Sequence, residues 1–236
     1  MFSFESDVRY SELDCEGKLS LDKLLDYFQD CSSLHSESLS VGIDYLNSQK
    51  KAWVLSSWQV VINRYPVHKE RVSIGTWPYA FKSFFGYRNF TLKDMTGEMM
   101  AYANSIWILL DLNTMKPVKV LPEMVEAYGL EPELPMETES RKIVVPKDMK
   151  EERPFEIKKY HIDTNRHVNN AKYILFAQEY LPAGFEISQM RAEYRKAAVY
   201  GDEIYPFVAE HDKKVTVVLA DKDKKPYAVI ELEGSK

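Results

Sequence analysis

The stretch Tyr160-His161-Ile162-Asp163-Thr164-Asn165-Arg166-His167-Val168-Asn169-Asn170 decides how this chain is read. It sets a carboxylate, a carboxamide and an imidazole at i, i+2 and i+4, in Asp163, Asn165 and His167. Two asparagines follow at once, and then a segment with helical periodicity. An extended strand end that feeds a helix N-terminus places polar side chains beside free backbone N–H groups. Such groups, with the helix dipole, can hold a developing oxyanion. The arrangement suits polarising and hydrolysing a carbonyl compound. That chemistry needs no metal or nucleotide, so no cofactor is expected.

The stretch has a counterpart near the N-terminus. Arg9-Tyr10-Ser11-Glu12-Leu13-Asp14 leads to Leu19-Ser20 and then to an apolar stripe at Leu21, Leu24, Leu25 and Phe28. In the second half, Val168-Asn169 leads to Tyr173, Ile174, Ala177 and Leu181. Asp14 matches Asp163 and Leu19 matches Val168 at one constant offset. Ser20 and Asn169 are expected N-caps. Leu19 with Leu24, and Val168 with Tyr173, have the spacing of a hydrophobic staple. The stripes predict one buried face on each helix. At the positions of Asn165 and His167 the first half has Glu16 and Lys18, so only the second half carries the polar trio.

After each helix the pattern turns strand-like. Residues 58–65 are β-rich and precede Pro66, and residues 71–77 alternate and are expected to stop at Pro78. Residues 84–92 and 99–110 predict two further strands joined by a turn at Asp94-Met95-Thr96-Gly97. In the second half, 189–199, 203–210, 214–219 and 227–232 read the same way, with turns at Tyr200-Gly201-Asp202 and at 221–225. Residues 122–154 are rich in Glu, Pro and Lys and read as a connecting region with a short helix at 122–128. Each half is therefore a strand, a helix and several antiparallel strands, an α+β pattern in which a helix is wrapped by a curved antiparallel sheet.

Composition bounds the function. Net charge is −5, which argues against generic nucleic-acid binding. Hydrophobic content of 45% and aromatic content of 13%, with fifteen tyrosines and eleven phenylalanines, support a sizeable core. No apolar run approaches the roughly 20 residues that span a bilayer. Met1-Phe2-Ser3-Phe4-Glu5 lacks a basic region followed by an apolar run, so no signal peptide is expected. Cys15 and Cys31 are expected to be free thiols in a reducing, cytoplasmic setting. A metal reading would join His161 to His167 and Asp163, but the clustered ligand pairs usual for zinc are missing.

Asp163-x-Asn165-x-His167-Val168-Asn169-Asn170-x-x-Tyr173 resembles the signature of the hotdog-fold acyl-ACP thioesterases. Asn63-Arg64-Tyr65-Pro66, residues 72–77, Gly86-Tyr87-Arg88-Asn89-Phe90, Thr96-Gly97-Glu98, residues 103–107 and residues 113–119 are similar to further segments of that family, in order. No transit peptide is expected, and on that expectation the resemblance is to the bacterial type. The resemblance implies a tandem (double) hotdog that releases free fatty acid from acyl carrier protein. Residues 1–125 would be an N-terminal hotdog that sets acyl-chain specificity, 126–152 a linker and 153–236 the catalytic hotdog. It also implies a substrate-binding role for Asn169, Asn170, Tyr173 and Trp58. The sequence departs from the plant-type pattern where a glutamate and a cysteine are usual, since Glu193-Tyr194-Arg195-Lys196 is followed by Ala197-Ala198. This rules out a Cys nucleophile at 198 and leaves the fourth catalytic position without a carboxylate.

For each member of the trio the residues allow two readings. Asp163 is the natural base or nucleophile, or an Asx turn residue. Asn165 orients water or the thioester, or caps backbone locally. His167 donates to substrate or carries a proton near neutral pH, or is structural. Glu193 would share a strand face with position 197, but four residues at about 3.3 Å each put it roughly 13 Å away. Arg141, Lys142, Lys147, Lys150, Arg153, Lys158 and Lys159, with Arg195 and Lys196, gather into a basic cluster that either docks an acidic carrier protein or is a solvated linker. An acyl-CoA thioesterase and a non-catalytic acyl-binding module stand as alternatives. Tyr10, Tyr27 and Trp53 are read as core or tunnel lining, and a homodimer is left open.

Overall fold

The structure, a computed structural model, describes residues 1–234; the last two positions of the 153–236 segment lie outside the described residues. The chain divides into two compact units. The first holds residues 1–56 and 60–139, and the second holds Ser57–Gln59 and residues 140 onward. Both are α+β, with few helices and antiparallel strands.

In the first unit, β1 (Phe2–Asp7) is followed by a 3₁₀ turn (Tyr10–Glu12), α1 (Leu21–Ser38) and α2 (Ile43–Ser48). Then come β2 (Lys51–Ile62), β3 (Arg71–Lys82), β4 (Phe85–Asp94), β5 (Met99–Asp111), the two-residue β6 (Lys116–Pro117) and α3 (Pro122–Tyr128). The strand order is β1-β3-β4-β5-β2, with β6 on β5. Helix α1 forms because Leu21, Leu24, Leu25, Phe28, Cys31 and His35 recur at helical spacing and are all buried. Under it, register lines up Phe4, Ile74 and Leu92 in one row and Phe2, Thr76 and Phe90 in the next. Phe28 meets Phe90 at 5.2 Å between ring centroids. Each such side chain contributes about 1.5–3 kcal/mol by leaving water.

The second unit contains β7 (Lys150–Glu151), β8 (Phe155–Glu156), a 3₁₀ turn (Lys159–His161) and α4 (Asn170–Gln178). Strands β9 (Ile187–Tyr194), β10 (Glu203–His211), β11 (Lys214–Ala220) and β12 (Pro226–Gly234) follow. Their order is β9-β12-β11-β10, with β7 and β8 both pairing β10. Ile143, from the connecting region, is buried against Val218, Ala220 and Val229. The segment before the second unit is also anchored in places: Trp77 Nε1 donates to Pro132 O at 2.8 Å, and Leu134 N–H to Asn89 Oδ1 at 2.9 Å.

The elements differ from the sequence pattern in several places. Strand β3 runs through Pro78 to Lys82. It tolerates the proline because β1 reaches only Thr76 and the β3–β4 register shifts between Pro78 and Ala80, so no ladder bond is demanded there. Strand β2 begins at Lys51, well before residue 58. Strand β9 ends at Tyr194, because Arg195 and Lys196 N–H both converge on Tyr227 O and bulge the chain. Residues 193 and 197 therefore do not share a strand face. Helix α4 has only nine residues, against eighteen in α1, since Pro182 lies just beyond and cannot continue a helix. Ser20 stands at the N-cap of α1 without capping it; its hydroxyl donates to Asp22 Oδ1 at 2.6 Å.

Candidate active site

The polar trio does not lie on a strand end. It occupies a closed turn between the 3₁₀ turn and α4, pinned by an Ile162–Val168 bridge. Asp163 N–H donates to His167 O at 2.8 Å, and Arg166 N–H to Asp163 O at 3.1 Å. The Asp163 Oδ1 atom accepts the backbone N–H groups of Asn165 at 2.8 Å and His167 at 3.2 Å. Arg166 takes the left-handed conformation, φ 63°, that closes such a turn. Asp163 is half-buried, while the Asn165 and His167 side chains are exposed and make no hydrogen bond among the described residues.

The first unit builds the same turn. Asp14 Oδ1 accepts Glu16 N–H at 2.9 Å and Lys18 N–H at 3.0 Å, and Gly17 has φ 78°. In place of the free amide and imidazole, Glu16 and Lys18 pair with each other at 3.0 Å. Asp94, with Thr96 and Glu98, and Asp221, with Asp223 and Lys225, repeat the pattern. The turn-anchoring role of Asp163 is therefore structural and shared. What distinguishes the 163–167 turn is its unpaired amide and imidazole.

The surroundings fix the turn. Asn169 caps α4, its Oδ1 accepting Ala171 N–H at 2.8 Å, and Lys172 N–H bonds Asn169 O. Neither bond engages Asn170 N–H. Asn169 N–H donates to His161 O at 3.0 Å. His161 is buried, and its Nδ1 accepts Lys158 N–H at 3.1 Å. Burial, then the Lys172 and Lys158 charges, push its pKa down. Tyr173 is buried and its hydroxyl accepts Ala198 N–H at 2.9 Å. Tyr194 OH donates to Asn170 O at 3.1 Å. Val168 N–H bonds Ala198 O at 2.9 Å, which sets Ala197 beside the turn, exposed. Tyr194 and Ala198 were missed as site supports; a tyrosine in both α4 and β9, absent at the first-half positions, was the available signal.

Trp58 is buried on β2, within Ser57–Gln59, which groups with the second unit. Glu193 is buried and occupied: Oε2 accepts Ile143 N–H at 3.1 Å and Arg195 Nη2 at 2.9 Å. Burial alone would raise its pKa, but these two partners more than offset it and hold it below the usual carboxylate range. The basic cluster is partly neutralised. Lys150 pairs Glu152, Lys158 pairs Glu156 and Lys196 pairs Asp221, at 2.6, 2.6 and 3.2 Å.

The two α+β units match the domains of one known family. Residues 1–128 match the acyl-ACP thioesterase N-terminal domain and residues 145–227 match its C-terminal domain. The chain belongs to the acyl-ACP thioesterase family. It is 26% identical over 216 residues to the chloroplastic acyl-[acyl-carrier-protein] hydrolase FATB2 of Cuphea viscosissima, covering 83% of this chain and 52% of that protein. The chain thus spans about half the length of the plant relatives it matches. An acyl-ACP thioesterase from Bacteroides thetaiotaomicron is similar in structure, with TM-score 0.90, 25% identity, and 99% and 97% of the two chains covered. A putative oleoyl thioesterase from Lactobacillus plantarum gives TM-score 0.86 at 24% identity, covering 100% and 96%.

Proposed function

We propose that this protein hydrolyses acyl-ACP thioesters to free fatty acid and acyl carrier protein. The observation that carries the reading is the 163–167 turn, built like three other turns of the chain yet presenting an unpaired amide and imidazole beside a helix start. Water adds to the thioester carbonyl carbon, the tetrahedral oxyanion collapses, the C–S bond breaks and the thiolate takes a proton. Asp163 Oδ1 is spent on the turn, so Oδ2 is the atom that accepts the proton from water or attacks directly. Asn165 orients water or the thioester, and His167 donates to the departing sulfur. Asn170 N–H, at the positive end of α4, faces the charge that develops on oxygen.

Each unit is read as a hotdog, giving a tandem hotdog in which residues 153–236 carry the chemistry, 1–125 select the acyl chain and 126–152 connect them. Trp58 belongs to the acyl side of the site. Asn169, Asn170 and Tyr173 border the substrate, chiefly by shaping the backbone around it. The carrier protein is acidic and would dock on cations near the turn, among them Arg166 and Lys172. The setting proposed is the cytoplasm, in keeping with free Cys15 and Cys31. No helix among the described residues is long and apolar enough to cross a membrane. A second copy of the chain as partner is decided by its mass in solution. Turnover of one acyl group carried by ACP and by CoA tests the substrate class. A kcat/KM at least tenfold higher with ACP is expected, and a preference for CoA would overturn it.

A further inference from the structure

The two units share a local plan beyond the aspartate turns. Asn63 and Arg64 N–H converge on Met100 O as Arg195 and Lys196 N–H converge on Tyr227 O. Leu19 N–H then bonds Pro66 O at 2.7 Å as Val168 N–H bonds Ala198 O at 2.9 Å. Pro66 is therefore the counterpart of Ala198, and Ile62, counted back from it, that of Tyr194. By the constant offset, Leu24 is the counterpart of Tyr173 and Leu21 of Asn170. The first unit thus has aliphatic side chains at both tyrosine positions, and a proline, with no N–H to satisfy, at the alanine.

We propose that the Tyr173 and Tyr194 hydroxyls are positioning groups that clamp the 163–168 turn for catalysis. Tyr173 OH holds Ala198 N–H, Ala198 O holds Val168 N–H, and Val168 follows His167 directly. Tyr194 OH holds Asn170 O, two residues further on, with the two rings 5.9 Å apart. One hydroxyl ties the helix to the loop after β9, and the other ties β9 to the helix start. The imidazole, one residue before Val168, is thereby carried on a backbone fixed where the turn enters the helix. Burial raises the Tyr173 hydroxyl to about 12 and also pushes Tyr194 up, so both stay protonated. The catalytic part of the inference rests on the hydrolase reading above; the mechanical part does not.

The test uses Tyr173→Phe and Tyr194→Phe in the full chain, with three readouts: amide hydrogen exchange, steady-state kinetics on acyl-ACP and thermal unfolding. Exchange at Val168 and Ala198 is expected to speed up about tenfold in Tyr173→Phe, the scale of one lost hydrogen bond. The kcat should fall about tenfold with KM within about twofold, since the loss is of geometry and not of binding. Tyr194→Phe should act in the same direction, and it carries the test if Tyr173→Phe does not fold. A double variant, Tyr173→Leu with Ala198→Pro, copies the first unit by removing acceptor and donor together. It should regain thermal stability relative to Tyr173→Leu but not kcat. Unchanged exchange in both phenylalanine variants overturns the clamp. So does a lowered melting temperature with unchanged kcat, or recovery of kcat in the double variant. If the wild type hydrolyses neither acyl-ACP nor acyl-CoA, the function fails while the exchange result still decides the clamp.

Discussion

Asp163 and Asp14 hold the same turn in two different units: the Oδ1 atom of each accepts the backbone N–H groups two and four residues further on. Asp163 thus shares a structural duty with Asp14 of the first unit. An amide oxygen can accept the same two bonds. Asp163→Asn should therefore keep the turn and lose the base, lowering kcat/KM by about 10²-fold or more. Asp14→Asn should leave turnover near wild type. Kinetics on acyl-ACP with circular dichroism as a folding control checks the pair, and equal losses would refute the assignment.

Glu193 is a buried structural acid, held by Ile143 N–H and Arg195. Glu193→Gln keeps one acceptor and loses the ion pair. A stability loss of about 1.5–3 kcal/mol is expected, with most of the kcat of the folded protein retained. Urea unfolding and initial rates separate the two effects. A dead but fully stable variant would place Glu193 in the chemistry.

Residues 1–125 should select the chain without reacting. Leu24 is fully buried, and Leu24→Ala should cost about 2–5 kcal/mol. Trp58→Ala should shift the preferred acyl length across a panel of acyl-ACPs or destabilise the fold. Glu16, paired to Lys18 at the surface, should tolerate Glu16→Gln with unchanged turnover. Loss of turnover in that variant, with stability intact, would contradict the division of labour.

His35 supplies a pH signature. Its Nδ1 lies 3.0 Å from Arg88 Nη1, which donates to it, so the ring is neutral there. Burial, then the Arg88 charge and the N-terminal ammonium, push its pKa down to about 4. Between that value and the ordinary one near ~6.5, the unfolded chain binds more protons, so stability rises with pH. The contribution is complete above about pH 6.5 and is lost as pH falls toward 4, by about 3 kcal/mol in all. His161, also pushed down, slopes the same way. Urea midpoints measured stepwise from pH 7 to 4.5 should fall, and His35→Gln should flatten much of that slope. An unchanged slope in the variant would assign the effect elsewhere.

Much of the fold was legible because it depends on local rules. The stripe through Leu21, Leu24, Leu25 and Phe28 gave α1, Asp94 to Gly97 gave a turn, and Pro122 opened α3 as expected. The misses lie where register or a distant partner decides. Pro78 stays in β3 because its neighbour strand has already ended, and β9 stops early because one carbonyl on β12 captures two N–H groups. The trio itself was visible as a pattern. The sequence allows an Asx turn at Asp163, and the turn is there, with matching geometry at Asp14, Asp94 and Asp221. The tyrosine hydroxyls could not be read, since their acceptors and donors are backbone atoms brought near by the fold.

This chain is proposed to cleave acyl-ACP through the second-unit trio. The most direct measurement is free-thiol release from medium- and long-chain acyl-ACPs by the wild type and by His167→Ala and Asn165→Ala. The account predicts ready release by the wild type and a kcat/KM lower by about 10²-fold or more in each folded variant. Near wild-type turnover in both variants would contradict it.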